Sequence, residues 1–222
     1  MGRPREFDED GVLTAAREQF WSTGFAGTSM ETIAAATGLG KGSLYGAFGG
    51  KRELFHRVFD DYCTAAVGSA AHRLDGDDEQ AFERLTTYFL DHARTSAEPG
   101  HRACLLAKGA AELAEHDEVV SARSLAAFEE LRRTFTAVLE ACQRNGDVDP
   151  GADAPRLAGL LLTVHRGIEA VGEAGARESV LREGAQAALD GLPRPPGRAA
   201  GPARGTTRSG GGTRPGGGSR GR

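Results

Sequence analysis

No apolar run in the chain approaches the roughly 20 residues needed to cross a bilayer. The opening residues, MGRPREFDED, carry charge of both signs where a secretory signal would be apolar. The expected compartment is the cytoplasm. Cysteine is scarce: Cys63, Cys104 and Cys142 are odd in number, far apart and without a CxxC pair, which argues against a disulfide framework or a zinc ribbon. Three reduced thiols, mostly in the core, are expected. Period-two alternation bounded by hairpin turns is missing, which leaves little room for a sheet. Also missing are a phosphate-binding glycine loop, a Ser-His-Asp order and a paired carboxylate in a credible pocket, so no catalysis is expected.

Lysine is nearly absent too, with Lys41, Lys51 and Lys108 against 24 arginines. The net charge of −4 conceals a division along the chain. Residues 193–222 hold seven arginines, ten glycines, five prolines and no acid, and without those seven charges the remainder stands at −11. An acidic body does not coat nucleic acid indiscriminately, so DNA binding must come from locally concentrated positive charge. The Gly/Arg/Pro segment cannot bury enough apolar surface to offset its chain entropy and is expected to be a disordered tail.

What is present is helical periodicity almost throughout, predicting an all-α protein of about nine helices. The spacing of Val12, Ala16 and Phe20 predicts a first helix over 8–23 that Gly24 ends. A second starts at a capping box read as Thr28-Ser29-Met30-Glu31 and stops at Gly38, with Met30, Ile33 and Ala34 inward. A third covers 41–48 with Leu44 and Phe48 as its buried anchors. These two are too short to stand alone and must rest on the first. A fourth runs from Lys51 to near Leu74, and a fifth carries Phe82, Leu85, Phe89 and Ala93 up to Pro99-Gly100. The sixth is expected over 103–115, the seventh from an Asp117 cap to Asn145-Gly146, the eighth from Asp153 with Pro155 in its first turn, and the ninth from a Ser179 cap to Asp190-Gly191. The expected domains are residues 1–50 for DNA binding, 51–192 for a helical effector-binding and dimerisation body, and 193–222 for the tail.

The informative stretch is Phe20–Leu54, FWSTGFAGTSMETIAAATGLGKGSLYGAFGGKREL. Gly24-Phe25, Thr28-Ser29, Ile33-Ala34, Gly38, Lys41-Gly42, Leu44-Tyr45, Phe48 and Lys51 with Leu54 give it a strong resemblance to the DNA-binding domain of the tetracycline-repressor (TetR) family. The resemblance implies a helix-turn-helix whose second helix enters the major groove. With Leu44 and Phe48 inward, Lys41, Gly42, Ser43, Tyr45, Gly46 and Ala47 point outward. Gly42, Gly46 and Ala47 let the backbone approach the groove floor, and Ala47 could meet a thymine methyl. Tyr45, Lys51 and the amide end at Thr28-Ser29 suit phosphates, while Arg3 and Arg5 could follow the adjacent minor groove. Gly46-Ala47 stand where many family members carry larger polar or aromatic groups, so shape readout is expected to matter.

For the body, the resemblance implies an effector pocket within helices five to seven and a homodimer built on the last two helices. Candidate pocket residues are Phe82, Phe89, Cys104, Phe128, Phe135 and His165. His165, Arg166 and Glu169 are polar groups on an otherwise apolar helix, facing a pocket, a partner or the other subunit. Candidate dimer residues are Leu157, Leu161, Val164, Ile168, Val171, Val180 and Ala187. His101, Cys104 and His116 lack the spacing of a recognised zinc site, so no metal or cofactor is expected. The expected function is sequence-specific transcriptional regulation, with repression of a palindromic operator relieved by a small-molecule effector, although no residue fixes that sign. The alternative is a helical ligand- or partner-binding protein whose arginine-rich tail supplies nonspecific nucleic-acid affinity.

Overall fold

The computed structural model describes residues 8–102 and 104–196, and every regular element among them is a helix. The expected roles of Arg3 and Arg5, and of residues 197–222, lie outside the described residues. Helix α1 (Glu9–Gly27) starts on Asp8, whose carboxylate accepts from the Gly11 amide at 3.1 Å. Glu9 and Asp10 fill its first turn, where the macrodipole favours acids. Gly24 breaks α1 with φ 74° and ψ 175°, a conformation open to glycine. The helix does not end there as expected: one more turn follows to Gly27.

Helices α2 (Met30–Thr37) and α3 (Lys41–Phe48) follow, separated by Gly38 in the left-handed region. Together they expose so much backbone per buried side chain that they need a platform. Helix α4 (Lys51–Leu74) supplies it. Phe55 of α4 meets Phe20 edge-to-face at 5.0 Å and Phe25 at 5.2 Å, and Phe59 stacks beneath at 5.4 Å. Burying such a ring contributes on the order of 2–3 kcal/mol, so this aromatic knot seats α1 on α4, while α2 rests on α1 as expected and α3 on α2 and α4.

A 3-10 turn (Asp78–Gln80) leads into α5 (Ala81–Ser96), α6 (Leu105–Leu113), α7 (Glu118–Arg144), α8 (Ala154–Glu173) and α9 (Glu178–Asp190). Helix α4 packs on α7, α7 on α8, and α5 on both α8 and α9. Asp117 caps α7 through the Val119 and Val120 amides, and Asp153 caps α8 through the Arg156 amide with Pro155 in the first turn. None of these helices is long and apolar enough to cross a membrane.

Three boundaries differ from expectation. Helix α6 is shorter than expected, with Cys104 at its N-cap and Ala103 outside the described residues. Helix α9 takes Arg177 rather than Ser179 at its N-cap, without a side-chain cap bond. At the 192/193 boundary the chain stays in contact with the body: Leu192 is buried, the Pro193 carbonyl accepts from the Asp149 amide, and Arg194 donates to the Asp147 carbonyl at 2.8 Å while lying over the Phe82 ring.

Candidate nucleic-acid interface and effector core

Helix α3 presents the surface its sequence pattern requires. Leu44 and Phe48 are buried, Ser43 is half-buried, and Lys41, Gly42, Tyr45, Gly46 and Ala47 are exposed, Tyr45 with 52% of its surface free. Nothing lies within 4 Å of where a Cβ would stand at Gly42 or Gly46, so the helix has a smooth, open edge. A flat backbone edge flanked by a phenol and an ammonium can approach a groove floor closely.

The start of α2 differs from the expected box. Ser29, not Thr28, is the cap: its hydroxyl accepts from the Thr32 amide at 3.1 Å, and the Thr32 hydroxyl accepts from the Ser29 amide at 3.1 Å. Thr28 is buried, donates to the Gly24 carbonyl at 2.7 Å and shares a hydrogen bond with Thr23. Its hydroxyl is thereby withdrawn from any phosphate, leaving Ser29 at that helix end. Threonine's extra methyl favours the interior position, where the backbone bend at Gly24 offers a carbonyl. The reciprocal partner of the cap is Thr32 rather than Glu31, whose carboxylate pairs chiefly with Lys41, tying α2 to α3, and that hydrogen bond is the first cause holding the Glu31 carboxyl below its ordinary range. Lys51 lies at the first turn of α4 with its ammonium 4.3 Å from the centre of the Phe25 ring.

In the body, Phe89, Phe135 and His165 converge: Phe89 and Phe135 are 5.5 Å apart, and His165 lies 5.9 and 5.7 Å from them. Phe82 and Phe128 do not join them. Phe82 is half-buried under the Arg194 guanidinium, 4.1 Å away, and Phe128 is half-buried at the edge of the core. The converging rings are packed against one another, while an open cleft of about 470 Å³ lies on the flank of this group, lined by Arg73, Glu83, Arg84, Thr87, Tyr88 and Asp91 among others.

Three residues outside the expected set complete the core. The Tyr88 hydroxyl is 3.0 Å from His165 Nε2, and its ring stacks on the imidazole at 5.5 Å. His92 stacks on the imidazole with ring centres 3.9 Å apart, and its Nε2 donates to the His165 carbonyl at 3.2 Å. Arg166 donates to His165 Nδ1 at 2.7 Å, so the neutral imidazole carries its proton on Nε2 and donates it to Tyr88. Burial pushes His92 down to about 4, His165 well below the ordinary histidine range and Tyr88 up to about 12. Tyr62 is the third residue, also pushed up by burial, with its hydroxyl in reach of Cys104. Tyr88 and His92 sit four apart on the face of α5 that buries Leu85 and Phe89, a spacing that marks them as neighbours of the pocket set.

Glu169 pairs with Arg166 at 2.7 Å and accepts from the Cys104 amide at 3.0 Å, which places Cys104 beside the core at the start of α6. All three cysteines are free and buried. Among the described residues no three metal-ligating side chains come together.

On α8 and α9, Leu161 and Ile168 face the chain's own core, which removes them from any partner face. Leu157, Val164 and Val171 of the expected set stay open and Leu160 joins them: Leu160 is 49% exposed and Val171 47%, with Leu157 and Val164 half-buried beside them. On α9, Val180 is 46% exposed and Ala187 is also exposed.

An all-helical body carrying a three-helix head with a smooth exposed reading helix defines a helix-turn-helix regulator that binds DNA. The profile described as "Bacterial regulatory proteins, tetR family" matches residues 12–58, and "Tetracyclin repressor-like, C-terminal domain" matches residues 81–188. The chain belongs to the TetR family, a family of DNA-binding transcriptional regulators and not of enzymes. The HTH-type transcriptional repressor ComR of Escherichia coli is 28% identical over 178 residues, covering 79% of this chain and 84% of ComR. The repressor BdcR of the same species is 34% identical over 112 residues, 49% of this chain and 55% of BdcR. A cysteine-substituted TetR family regulator, CifR, solved in complex with 26-base-pair operator DNA, superposes with a TM-score of 0.72 at 26% identity, over 86% of this chain and all of that one. Escherichia coli NemR in its reduced form shares the fold at 16% identity, with a TM-score of 0.73 over 84% of this chain and 98% of NemR.

Proposed function

We propose that the protein is a homodimeric, one-component repressor that leaves a palindromic operator when a small effector enters its body. Residues 1–50 read DNA, with the fourth helix as platform, and residues 51–192 bind effector and partner. The observation that carries this reading is α3 itself: buried Leu44 and Phe48 hold Lys41, Gly42, Tyr45, Gly46 and Ala47 to solvent beside Ser29 and Lys51. Repression is supported by the names of the relatives ComR and BdcR.

The dimer face is the stripe of Leu157, Leu160, Val164 and Val171 on α8 with Val180 and Ala187 on α9. Large apolar groups left half-exposed in line on two adjacent helices favour a symmetric helical partner. The effector site adjoins Tyr88, the member of this group that lines the flanking cleft, with His165, Phe89 and Phe135 behind it and Cys104 beside Glu169. Selection of duplex DNA from a random pool tests the reading. A recovered palindrome with half-sites about one helical turn apart is expected. Retention that tracks only charge and disappears at moderate salt would instead favour nonspecific affinity through the arginine-rich end.

A further inference from the structure

Helix α6 is bonded at both ends to other parts of the chain. At its start, the Cys104 amide donates to Glu169 of α8, itself paired with Arg166 in the effector core. In its last turn, Glu112 accepts from two consecutive amides of the DNA-binding head: Phe25 at 2.9 Å through Oε2, and Ala26 at 2.7 Å through Oε1. Between them, Lys108 donates to the Trp21 carbonyl at 3.1 Å, and Arg102, just before α6, pairs with Glu18 of α1. Gly109 lets the helix lie directly on Phe59, since a Cβ there would stand 2.5 Å from the ring.

The two amides are available because Gly24 interrupts α1. The first amides after a helical break have no carbonyl behind them and are orphan donors. Glu112 satisfies both with one carboxylate, in the way an acidic cap serves a helix start, and its charge strengthens the bonds. Gly24 closes the seat: a Cβ there would lie 3.0 Å from the Glu112 carboxylate, on a backbone with positive φ. Two residues beyond Ala26 stands Thr28, followed by Ser29, the cap that begins α2 and so orients α3. Apolar contacts tolerate sliding, whereas a carboxylate bridging adjacent amides fixes direction as well as distance.

We infer that Glu112 is a positioning residue for DNA recognition: its carboxylate, bound to the Phe25 and Ala26 amides, sets the angle of the reading head on the body. This rests on the operator reading proposed above. The test uses the full chain and the palindrome that the wild-type protein selects from random duplex DNA, together with versions in which the half-site spacing is changed by one and two base pairs. Glu112→Ala should weaken binding to the natural spacing by about five- to fifty-fold, the usual range of coupling between sites, and should flatten the preference among spacings. Glu112→Gln keeps one acceptor and should fall between; it also serves if the alanine variant does not fold. A role limited to stability would lower the melting temperature while leaving the order of spacings intact, and that result overturns the inference. Failure of the wild-type protein to select any palindrome overturns the operator reading itself, and the inference with it.

Discussion

The imidazole of His165 lies flat on that of His92, ring centres 3.9 Å apart and planes 5° apart. The Tyr88 hydroxyl meets His165 at Nε2, and the Arg73 guanidinium lies 4.9 Å over the Tyr88 ring, while Arg166 holds Nδ1 and Glu169 pairs with Arg166. A proton on either imidazole would put a cation against Arg166 and Arg73, whose own carboxylate partners, Glu169 and Asp91, are already engaged. Burial is the first cause of both depressed pKa values, and the neighbouring arginines add to it.

The pH dependence of stability follows from that stack. Both histidines titrate below their unfolded value of 6.5, His92 at about 4. Above pH 6.5 neither state binds these protons, so stability is level. As pH falls through 6.5, the unfolded chain takes up protons that the folded core refuses, and stability is lost with a slope approaching about 1.4 kcal/mol per pH unit for each imidazole. The carboxylates that the fold holds low, such as Glu31, Glu53 and Asp117, have ordinary values of 4.5 or below and lose their contribution only in more acid solution. Urea unfolding at fixed protein concentration between pH 8 and 5 should show the slope, and His92→Phe should reduce it by about half. A level profile from 8 to 5 would mean the stack accommodates a proton.

The dimer face separates two substitutions on one helix. Val171→Asp places a charge on the exposed stripe and should dissociate the dimer in sedimentation while changing subunit folding little, within about 0.5 kcal/mol for an exposed site. Ile168→Asp, three residues away but 5% exposed, buries a carboxylate in the subunit's own core and should prevent folding. A Val171→Asp protein that remains a dimer would place the interface elsewhere.

On the reading head, Tyr45→Ala and Lys51→Ala should weaken binding by a similar factor across operator variants, because phosphate contacts carry little base information. Lys51→Ala should also lower the slope of log affinity against log salt by about 0.9, one counterion's share. The ammonium rests on Phe25, and losing that contact costs about 0.5–1 kcal/mol of stability, so melting curves must accompany the gel shifts. Loss of discrimination between variants would make Tyr45 a base reader.

How far the sequence was legible depended on whether a signal was periodic. Leu44 and Phe48, or Phe89 and Phe135, are large apolar residues at helical spacing, and the structure buries all four. Which of two adjacent hydroxyls caps α2 was not legible, because Thr28 and Ser29 both suit the cap and the choice depends on a carbonyl that only the Gly24 break presents. On α8 the expected stripe mixed two faces, since Leu161 and Ile168 are buried while Leu157, Val164 and Val171 are open; with Leu160, Leu161 and Leu162 in a row, periodicity cannot say which faces inward. Glu112 gave no signal at all, since its partners are backbone amides 86 and 87 residues away and amides are the same at every position. Tyr88 and His92 were legible in principle, as the polar members of the α5 stripe that buries Phe89.

Arg194 separates two truncations of the C-terminal end. Its guanidinium donates to the Asp147 carbonyl and covers Phe82, and the preceding Pro193 carbonyl accepts from the Asp149 amide, so residues 193 and 194 fasten the end of α9 to the loop between α7 and α8. Removing residues 193–222 should therefore lower the melting temperature, through lost hydrogen bonds and an uncovered ring. Removing residues 197–222 leaves that fastening and takes away six arginines with no acid among them. Each arginine lastingly engaged on phosphate adds about 0.9 to the salt slope. Not all of them engage at once, so the shorter truncation should flatten the slope by about two to four units while preference for the palindrome over random DNA is kept or improved. Gel shifts from low to moderate salt, full-length protein against both truncations, distinguish the outcomes. Identical slopes would make residues 197–222 inert toward DNA. Loss of palindrome preference in the shorter truncation, with its melting temperature unchanged, would move part of the specificity from α3 to the arginine-rich end.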